Sequence, residues 1–190
     1  MKVLVTGGSG FLGLALCRAL VAQGHQVSSF QRSFSTELER LGVQQVLGAL
    51  HDRDKVLEAV GGQDAVIHNA AKASGWGSWN DFYQTNVLGT QNIIEGCLQL
   101  GIQKLVYTST PSVVHQGRTA VAGGNENNTP YAAHFSAHYP HTKMLAEKLL
   151  LAANGQQLAT VALRPRLIWG PGDTQLLPRL VARAKAGRLR

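Results

Sequence analysis

Tyr139 and Lys143 stand four residues apart in a segment with helical character, so their side chains are expected on one face of one helix. A phenol with an ordinary pKa of about 10 is a poor acid–base group at neutral pH. A neighbouring ammonium stabilises the phenolate and lowers that pKa, and the positive charge of an oxidised nicotinamide acts in the same direction. The pair is therefore suited to giving a proton to a carbonyl, or taking one from an alcohol, while a hydride is transferred.

A hydroxyl beside this pair would polarise the oxygen of the reacting carbonyl. The apolar run Lys104–Thr108 is followed by further hydroxyl residues, which gives Thr108, Ser109 and Thr110 in succession. Ligands of open parallel sheets bind beyond the carboxyl ends of the strands, so all three hydroxyls are expected near the reacting centre. Spacing alone does not choose among them.

A glycine-rich turn near the N-terminus predicts a site for a dinucleotide pyrophosphate. Glycines at 7, 10 and 13 lie between the β-rich run Val3–Thr6 and a helix that begins at Phe11. Such a turn allows positive φ, a close approach of the backbone to phosphate, and tight helix–strand packing, and the helix N-terminus adds free N–H groups. The residues expected to contact the cofactor here are Gly7, Ser9, Gly10, Phe11 and Leu12.

The end of the second predicted strand indicates which dinucleotide is preferred. An NAD site usually carries an acid there for the ribose hydroxyls, but the sequence 29–33 has none. Arg32, assisted by Ser33, can pair with a 2′-phosphate, so NADPH is favoured over NADH. Leu50 and Asp52, after the third strand, are expected to flank the adenine.

Strand and helix patterns alternate along the chain, which predicts an α/β fold: a Rossmann-type, doubly wound parallel sheet with helices on both faces. The stretch Pro111–Ala137 shows no periodicity and is expected to be a functional loop. The predicted strands are Val3–Thr6, Gln26–Gln31, Val43–Leu47, Ala65–His68, Lys104–Thr108 and Gln157–Leu163, and the predicted helices are Phe11–Gln23, Thr36–Leu41, Asp52–Val60 (with Asp52 as N-cap), Asp81–Leu100, Tyr139–Ala153 and Leu176–Lys185.

Composition and charge narrow the class of protein. The 190 residues are 44% hydrophobic and 15% charged, which suits one globular domain. Residues 164–190 carry +6 of the net charge of +7, so the body of the domain offers no basic face for nucleic acid. No apolar run is long enough to span a bilayer, and no secretory leader is recognisable, so we expect a cytoplasmic protein. Cys17 and Cys97 fall inside predicted helices and are expected to be buried thiols.

Two other groups of residues invite different interpretations. His134 and His138 are four residues apart and could bind zinc with His141, but no neighbouring acid completes the pattern, so no metal site is predicted. Trp76 and Trp79 could line a channel for an apolar substrate or simply pack the loop that carries them.

Several motifs, in this order along the chain, resemble those of the extended short-chain dehydrogenases/reductases. The Tyr139-Pro140-His141-Thr142-Lys143 motif with Glu147 is similar to the 3β-hydroxysteroid and sterol-carboxylate dehydrogenase branch. Residues 70–73, 107–113 and 164–170 are closer to bacterial 2-alkyl-3-oxoalkanoate reductases, which reduce the 3-oxo group of α-alkyl acids with NADPH in hydrocarbon biosynthesis. The matching segments are Thr6–Gly13, Asp64–Ala71, Asn86–Thr90, Tyr139–Lys143 and Leu163–Asp173.

The resemblance implies roles for individual residues. It places the family's catalytic serine at Thr110, beside Tyr139 and Lys143 as the other catalytic residues, and it places Asn86 behind the active site. Ala49 stands where relatives often have an acid that contacts adenine. The residues that the resemblance adds to the cofactor site are Ala70, Ala71, Lys72, Thr108, Tyr139 and Lys143.

The resemblance also bears on the whole protein. It implies a small, apolar keto or hydroxy substrate and a homodimer that pairs through Asp81–Leu100 and Tyr139–Ala153. Family members continue into a smaller substrate domain, so residues 1–190 are expected to be the NAD(P)-binding domain, with 164–190 at the start of the substrate-binding region. Two alternatives remain: a nucleotide-sugar epimerase or dehydratase on the same scaffold, and a non-catalytic protein that senses NADP.

Overall fold

The computed structural model of the chain describes residues 1–73, 76–115, 122–173 and 176–188. Gly75 and part of the predicted loop, 116–121, lie outside the described residues. The strands are β1 (Lys2–Thr6), β2 (Gln26–Gln31), β3 (Gln44–Leu47), β4 (Ala65–His68), β5 (Lys104–Thr108) and β6 (Ala159–Leu163). The α-helices are α1 (Phe11–Ala22), α2 (Thr36–Arg40), α3 (Arg53–Val60), α4 (Trp79–Tyr83), α5 (Gly89–Gln99), α6 (His138–Ala152) and α7 (Leu176–Lys185).

The strands form one parallel sheet in the order β3-β2-β1-β4-β5-β6. The chain builds the sheet outward from β1 in one direction through β3 and then returns to add β4 on the other side. The carboxyl ends of β1 and β4 therefore border the crevice where the strand order reverses, which is where ligands bind in such sheets. This arrangement confirms the predicted Rossmann-type fold.

Apolar side chains alternate between the two faces of the sheet and bury a helix layer on each. Leu4, Val66 and Leu105 lie in one cluster together with residues of α3, α5 and α6. Val5 and Val27 point the other way and pack in a second cluster with α1 and α2. Cys17 and Cys97 are fully buried in these clusters, and burial raises the pKa of each thiol, to about 11 and about 12.

The predicted helix Asp81–Leu100 differs from the structure in a way that matters for the site. It begins earlier, at Trp79, because Ser78 and Asp81 form a reciprocal capping box. It is also interrupted: Gln84–Leu88 forms a π-helical turn between α4 and α5. The extra residue in this turn is a feature that helical periodicity does not reveal.

Smaller differences concern the ends of elements. The third and sixth strands begin at Gln44 and Ala159, later than predicted, and α6 begins at His138, with Pro140 tolerated in its first turn. Asp52 caps α3 as expected, since its carboxylate accepts a hydrogen bond from the Lys55 amide at 3.2 Å.

Across the described ranges, every helix falls short of the length and apolar character that crossing a bilayer requires. The same ranges hold no group of three or more His, Cys, Asp or Glu side chains placed to bind a metal ion. Pairing of two chains through the long helices stays a prediction.

Candidate active site

The glycine turn between β1 and α1 is built so closely that side chains are excluded. Gly7 has a φ of +71°, and its carbonyl accepts a hydrogen bond from the Gly10 amide at 3.0 Å. A Cβ on Gly13 would lie only 2.0 Å from the Gly7 carbonyl oxygen. Helix α1 starts on Gly10, which offers no side-chain cap, so the first amides of the helix remain available to a phosphate.

The turn opens into a cavity of about 980 Å³ along the carboxyl ends of β1, β2 and β4. In sheets of this kind a dinucleotide would place its phosphates at the glycine turn and its adenosine at the β2 end. The cavity is lined by residues 7, 9 and 10, 30–33, 48–51, 69–73, 81, 84 and 85.

Eight of the residues predicted to bind cofactor therefore come together on this lining. Of the others, Phe11 and Leu12 lie in the first turn of α1. The described lining also lacks Asp52, which is exposed and caps α3, while His51 takes the place beside Leu50. The eight on the lining are Gly7, Ser9, Gly10, Arg32, Leu50, Ala70, Ala71 and Lys72.

The β2 end of the cavity carries no carboxylate. Gln31, the last residue of β2, is buried and binds Ser29 and Gln45 through its side-chain amide. Arg32 and Ser33 follow it as exposed residues of the lining. Among the described residues of the lining, the one acid is Asp81, which belongs to α4. The β2 end of the cavity therefore presents the Arg32 guanidinium and the Ser33 hydroxyl to a ligand.

A chain of buried hydroxyl and imidazole groups fixes the end of β4. The Thr6 hydroxyl accepts hydrogen bonds from the Asn69 and Ala70 amides and lies 2.8 Å from Nδ1 of His68. Nε2 of His68 is 3.0 Å from Thr90, whose hydroxyl donates to the Asn86 carbonyl. Thr90 must then accept from Nε2–H, so Thr6 donates to Nδ1, and His68 is a neutral Nε2–H imidazole. Burial, together with a smaller contribution from the charge of Lys143, lowers its pKa to about 3.

Asn86, in the π-helical turn, links the cavity to the catalytic helix. Its Oδ1 accepts from the Lys72 amide at 2.8 Å, and its Nδ2 donates to the Lys72 carbonyl and to Thr142. The carboxamide thus joins the segment after β4 to α6.

Tyr139 and Lys143, on α6, reach the residues at the end of β5: Tyr139 contacts Thr110, and Lys143 binds the Thr108 carbonyl. Burial raises the pKa of the Tyr139 phenol, and a hydrogen bond with Thr110 offsets part of that rise. The expectation that Lys143 lowers this pKa below its ordinary value was wrong, because the loss of hydration outweighs the neighbouring polar groups. The structure also selects among the three hydroxyls: Thr110 contacts Tyr139, Thr108 contributes its carbonyl to Lys143, and Ser109 binds Glu147.

Lys143 is a buried amine. It is 1% exposed, its Nζ donates to the Thr108 carbonyl at 2.6 Å, and it lies 4.0 Å from the centre of the Tyr107 ring. Burial lowers its pKa to about 7, and the carboxylate of Glu147 opposes that shift. Near neutral pH the amine is therefore close to half protonated.

Sequence reasoning singled out Glu147 only as part of a motif and missed its contacts. Its carboxylate is 1% exposed and forms an ion pair with Arg164 at 2.5 Å, and it also accepts from Ser109 and from the Tyr131 hydroxyl. Its position four residues after Lys143 places both on one face of α6, which was the one available indication.

Trp79, the first residue of α4, packs against the first turn of α6. Its ring centre lies 5.7 Å from that of His138 and 4.9 Å from that of His141, and His141 stacks on Phe135 at 5.1 Å. Trp76, by contrast, is fully exposed. The two histidines thus take part in aromatic packing between α4 and α6.

Comparison with known proteins gives a consistent result. Residues 4–189 match the family described as 3-beta hydroxysteroid dehydrogenase/isomerase. A 2-alkyl-3-oxoalkanoate reductase of Stenotrophomonas maltophilia (strain K279a) is 58% identical over 190 residues, which cover 100% of this chain and 58% of that protein. One of Shewanella oneidensis is 47% identical over 193 residues, covering 98% of this chain and 49% of that protein.

Solved structures match the fold over nearly the whole chain. MoeE5 in complex with UDP-glucose and NAD is 28% identical with a TM-score of 0.81, and the match covers 96% of this chain and 60% of that one. The chain thus spans about half to three fifths of the length of the relatives it matches.

Proposed function

Because the chain belongs to the 3-beta hydroxysteroid dehydrogenase/isomerase family of extended short-chain dehydrogenases/reductases, we propose that it is the NAD(P)-binding domain of a 3-oxo reductase. The observation that carries the proposal is the meeting of Tyr139, Thr110 and a buried Lys143 at the sheet edge that also holds the glycine-lined cavity. In this proposal residues 164–190 begin the substrate-binding region.

The reaction that this site supports is reduction of a ketone to an alcohol. A bound dihydronicotinamide supplies the hydride. The raised pKa of Tyr139 keeps its phenol protonated at neutral pH, so its hydroxyl can donate a proton to the carbonyl oxygen of the substrate. In this proposal Thr110 stabilises the charge that develops on the same oxygen. Lys143, one helical turn from Tyr139 and close to half protonated, returns a proton to the phenolate.

The substrate class we propose is an apolar 3-oxo compound, either a 2-alkyl-3-oxoalkanoate or a sterol-like ketone. Support comes from the two relatives whose names specify 2-alkyl-3-oxoalkanoate reduction, which match this chain over 100% and 98% of its length. A second candidate, a nucleotide-sugar epimerase or dehydratase, is favoured by the similarity to MoeE5, which was solved with UDP-glucose.

We test the reaction in a chimera, in which residues 1–190 replace the matching segment of the Stenotrophomonas reductase. With NADPH and a 2-alkyl-3-oxo acid we expect turnover, and a Tyr139→Phe variant should lose at least a factor of about 100 in kcat while cofactor affinity stays within a few-fold. Tyr83→Phe, an exposed tyrosine on α4, is the control and should retain activity. Turnover of UDP-glucose alone would identify the epimerase, and tight NADPH binding with neither reaction would identify a sensor.

We also propose NADPH rather than NADH as the cofactor, although the solved neighbour carries NAD. Arg32 and Ser33 lie on the cavity beside an uncharged Gln31, which suits a 2′-phosphate. Titration of this chain with both cofactors should show tighter NADPH binding. Arg32→Ala should weaken the affinity for NADPH about 10-fold and leave the affinity for NADH unchanged. Arg40→Ala, at an exposed position of α2, should change neither affinity. Equal affinities in the unaltered chain would reject this choice.

A further inference from the structure

One face of α6 engages three consecutive residues at the end of β5. Tyr139, Lys143 and Glu147 follow one another at intervals of four, so they occupy three successive turns of the helix. They contact the Thr110 hydroxyl, the Thr108 carbonyl and the Ser109 hydroxyl, respectively. Each of these three successive turns of α6 thus contacts a different residue of the segment 108–110.

Glu147 differs from the other two because it also binds parts of the chain beyond β5. Its Oε1 accepts a hydrogen bond from Tyr131, in the loop before α6, at 2.9 Å. Arg164, directly after β6, donates from Nη2 and Nε at 2.5 and 3.1 Å. Burial alone would raise the pKa of this carboxyl, but the hydrogen bonds from Arg164, Ser109 and Tyr131 outweigh it, so the pKa lies below its ordinary value. Glu147 is therefore an ionised carboxylate held from three directions.

The other groups that face Lys143 supply no negative charge. The Tyr107 ring from β5 is uncharged, since burial raises the pKa of its phenol, and His68 from β4 is a neutral imidazole. Tyr139, on its own helix, is a protonated phenol. Among the described groups that act on the lysine, the anion is Glu147, one turn away.

We propose that Glu147 is a positioning residue for the reduction: it fastens the face of α6 that carries Tyr139 and Lys143 to the ends of β5 and β6, and its carboxylate favours the ammonium form of Lys143 over the neutral amine. This role rests on the reaction proposed above. Arg164 and Tyr131 are then the outer supports of the site, and the loop before α6 is coupled to the protonation of the lysine through Tyr131. Glu147 is not among the described residues that line the cavity, so in this proposal it acts through its neighbours.

The first experiment does not depend on turnover. In the 190-residue chain labelled with ¹³C,¹⁵N-lysine, NMR titration follows the Nζ of Lys143, assigned by its loss in Lys143→Met. We expect Glu147→Gln to lower the pKa of Lys143 by about one pH unit and Glu147→Asp to restore part of it. The control is Glu95→Gln, whose carboxylate forms an exposed pair with Arg53. An unchanged titration in Glu147→Gln would overturn the inference, whatever the fate of the proposed reaction.

The second experiment uses the chimera. The alkaline limb of the kcat profile should move to lower pH by about one unit in Glu147→Gln, because the ammonium is lost earlier, with KM for NADPH within a few-fold. Ser109→Ala keeps the charge and should move the limb less while lowering kcat. A superimposable profile with only a lower Tm would show that Glu147 is merely structural. If the unaltered chimera shows no turnover, the proposed reaction is wrong. The NMR titration then still tests the effect of Glu147 on Lys143, because it does not depend on turnover.

Discussion

The glycine turn and the catalytic face of α6 are both parts of one site, yet they are built by opposite means. The turn depends on missing side chains: at Gly13 even a methyl group would collide with the Gly7 carbonyl. The helix face depends on two buried charges, Lys143 and Glu147, each 1% exposed. One region is specified by steric exclusion over seven residues, and the other by contacts that reach from Ser109 to Arg164.

This difference teaches how each region can fail. A steric site tolerates changes of charge around it but no added volume, because backbone atoms cannot move away cheaply. An ionic site tolerates small changes of volume but no removal of one partner, because the charge that remains has lost its hydration. Three substitutions separate these modes of failure.

The largest effect is expected from added volume in the turn. Gly13→Ala places its Cβ 2.0 Å from a backbone oxygen, so we expect a loss of about 3 kcal/mol in the free energy of unfolding and at least a 100-fold loss of dinucleotide affinity. The matched control is Gly96→Ala in α5, where the nearest atoms are 3.6 Å away or more, and it should stabilise the chain by about 0.5 kcal/mol. Urea unfolding measures the free energy of unfolding of the two variants, and calorimetry measures their affinity for the dinucleotide. Comparable behaviour of the two variants would contradict the steric account.

A smaller but still large effect is expected from removing one partner of the buried ion pair. Arg164→Met leaves the Glu147 carboxylate with only Ser109 and Tyr131, and should lower the free energy of unfolding by about 2–3 kcal/mol. In the exposed pair, Arg53→Met should lower it by less than about 0.5 kcal/mol. If chemical denaturation gives equal values, the ionic account of the α6 face is wrong.

The third expected effect appears only as a pH dependence. The pKa of Lys143 is about 7 in the folded chain and ordinary in the unfolded chain, so between about pH 7 and 10 the unfolded state binds more protons. Stability should therefore rise with pH between about 7 and 8.5, with a limiting slope of about 1.4 kcal/mol per unit. At higher pH the raised pKa values of Cys17, Cys97 and Tyr107 act in the opposite direction, because these groups then bind more protons in the folded chain than in the unfolded one. Lys143→Met should flatten this rise in the free energy of unfolding, which chemical denaturation at several pH values measures. If the rise persists in Lys143→Met, a group other than Lys143 causes it.

The sequence predicted most of what is local. The turn at Gly7–Gly13, the capping of α3 by Asp52 and the pairing of Tyr139 with Lys143 all follow from spacing within a few residues, and the structure has the first two and places the last pair on one helix. The parallel order of the sheet follows from strands that alternate with helices. The roles of these residues in binding and catalysis stay predictions.

What the sequence did not predict depends on side chains that meet across long separations. Ser109 lies 38 residues from Glu147 and Arg164 lies 17 from it, so no local period marks the group. The direction of the Tyr139 pKa shift was wrong because a spacing of four residues shows the neighbouring amine but not the extent of burial.

The π-helical turn at Gln84–Leu88 has a consequence for the side chains that it carries. A turn of this kind holds one residue more than a regular α-helical turn. Because a wide turn and a regular turn each complete one revolution, deleting one residue there would let an α-helical turn form with little change in the relative orientation of α4 and α5. The side chains of the turn itself would be redistributed, and Asn86 would lose its hydrogen bond to Thr142. The surplus residue thus changes the direction of side chains within one turn while the helix on either side keeps its place.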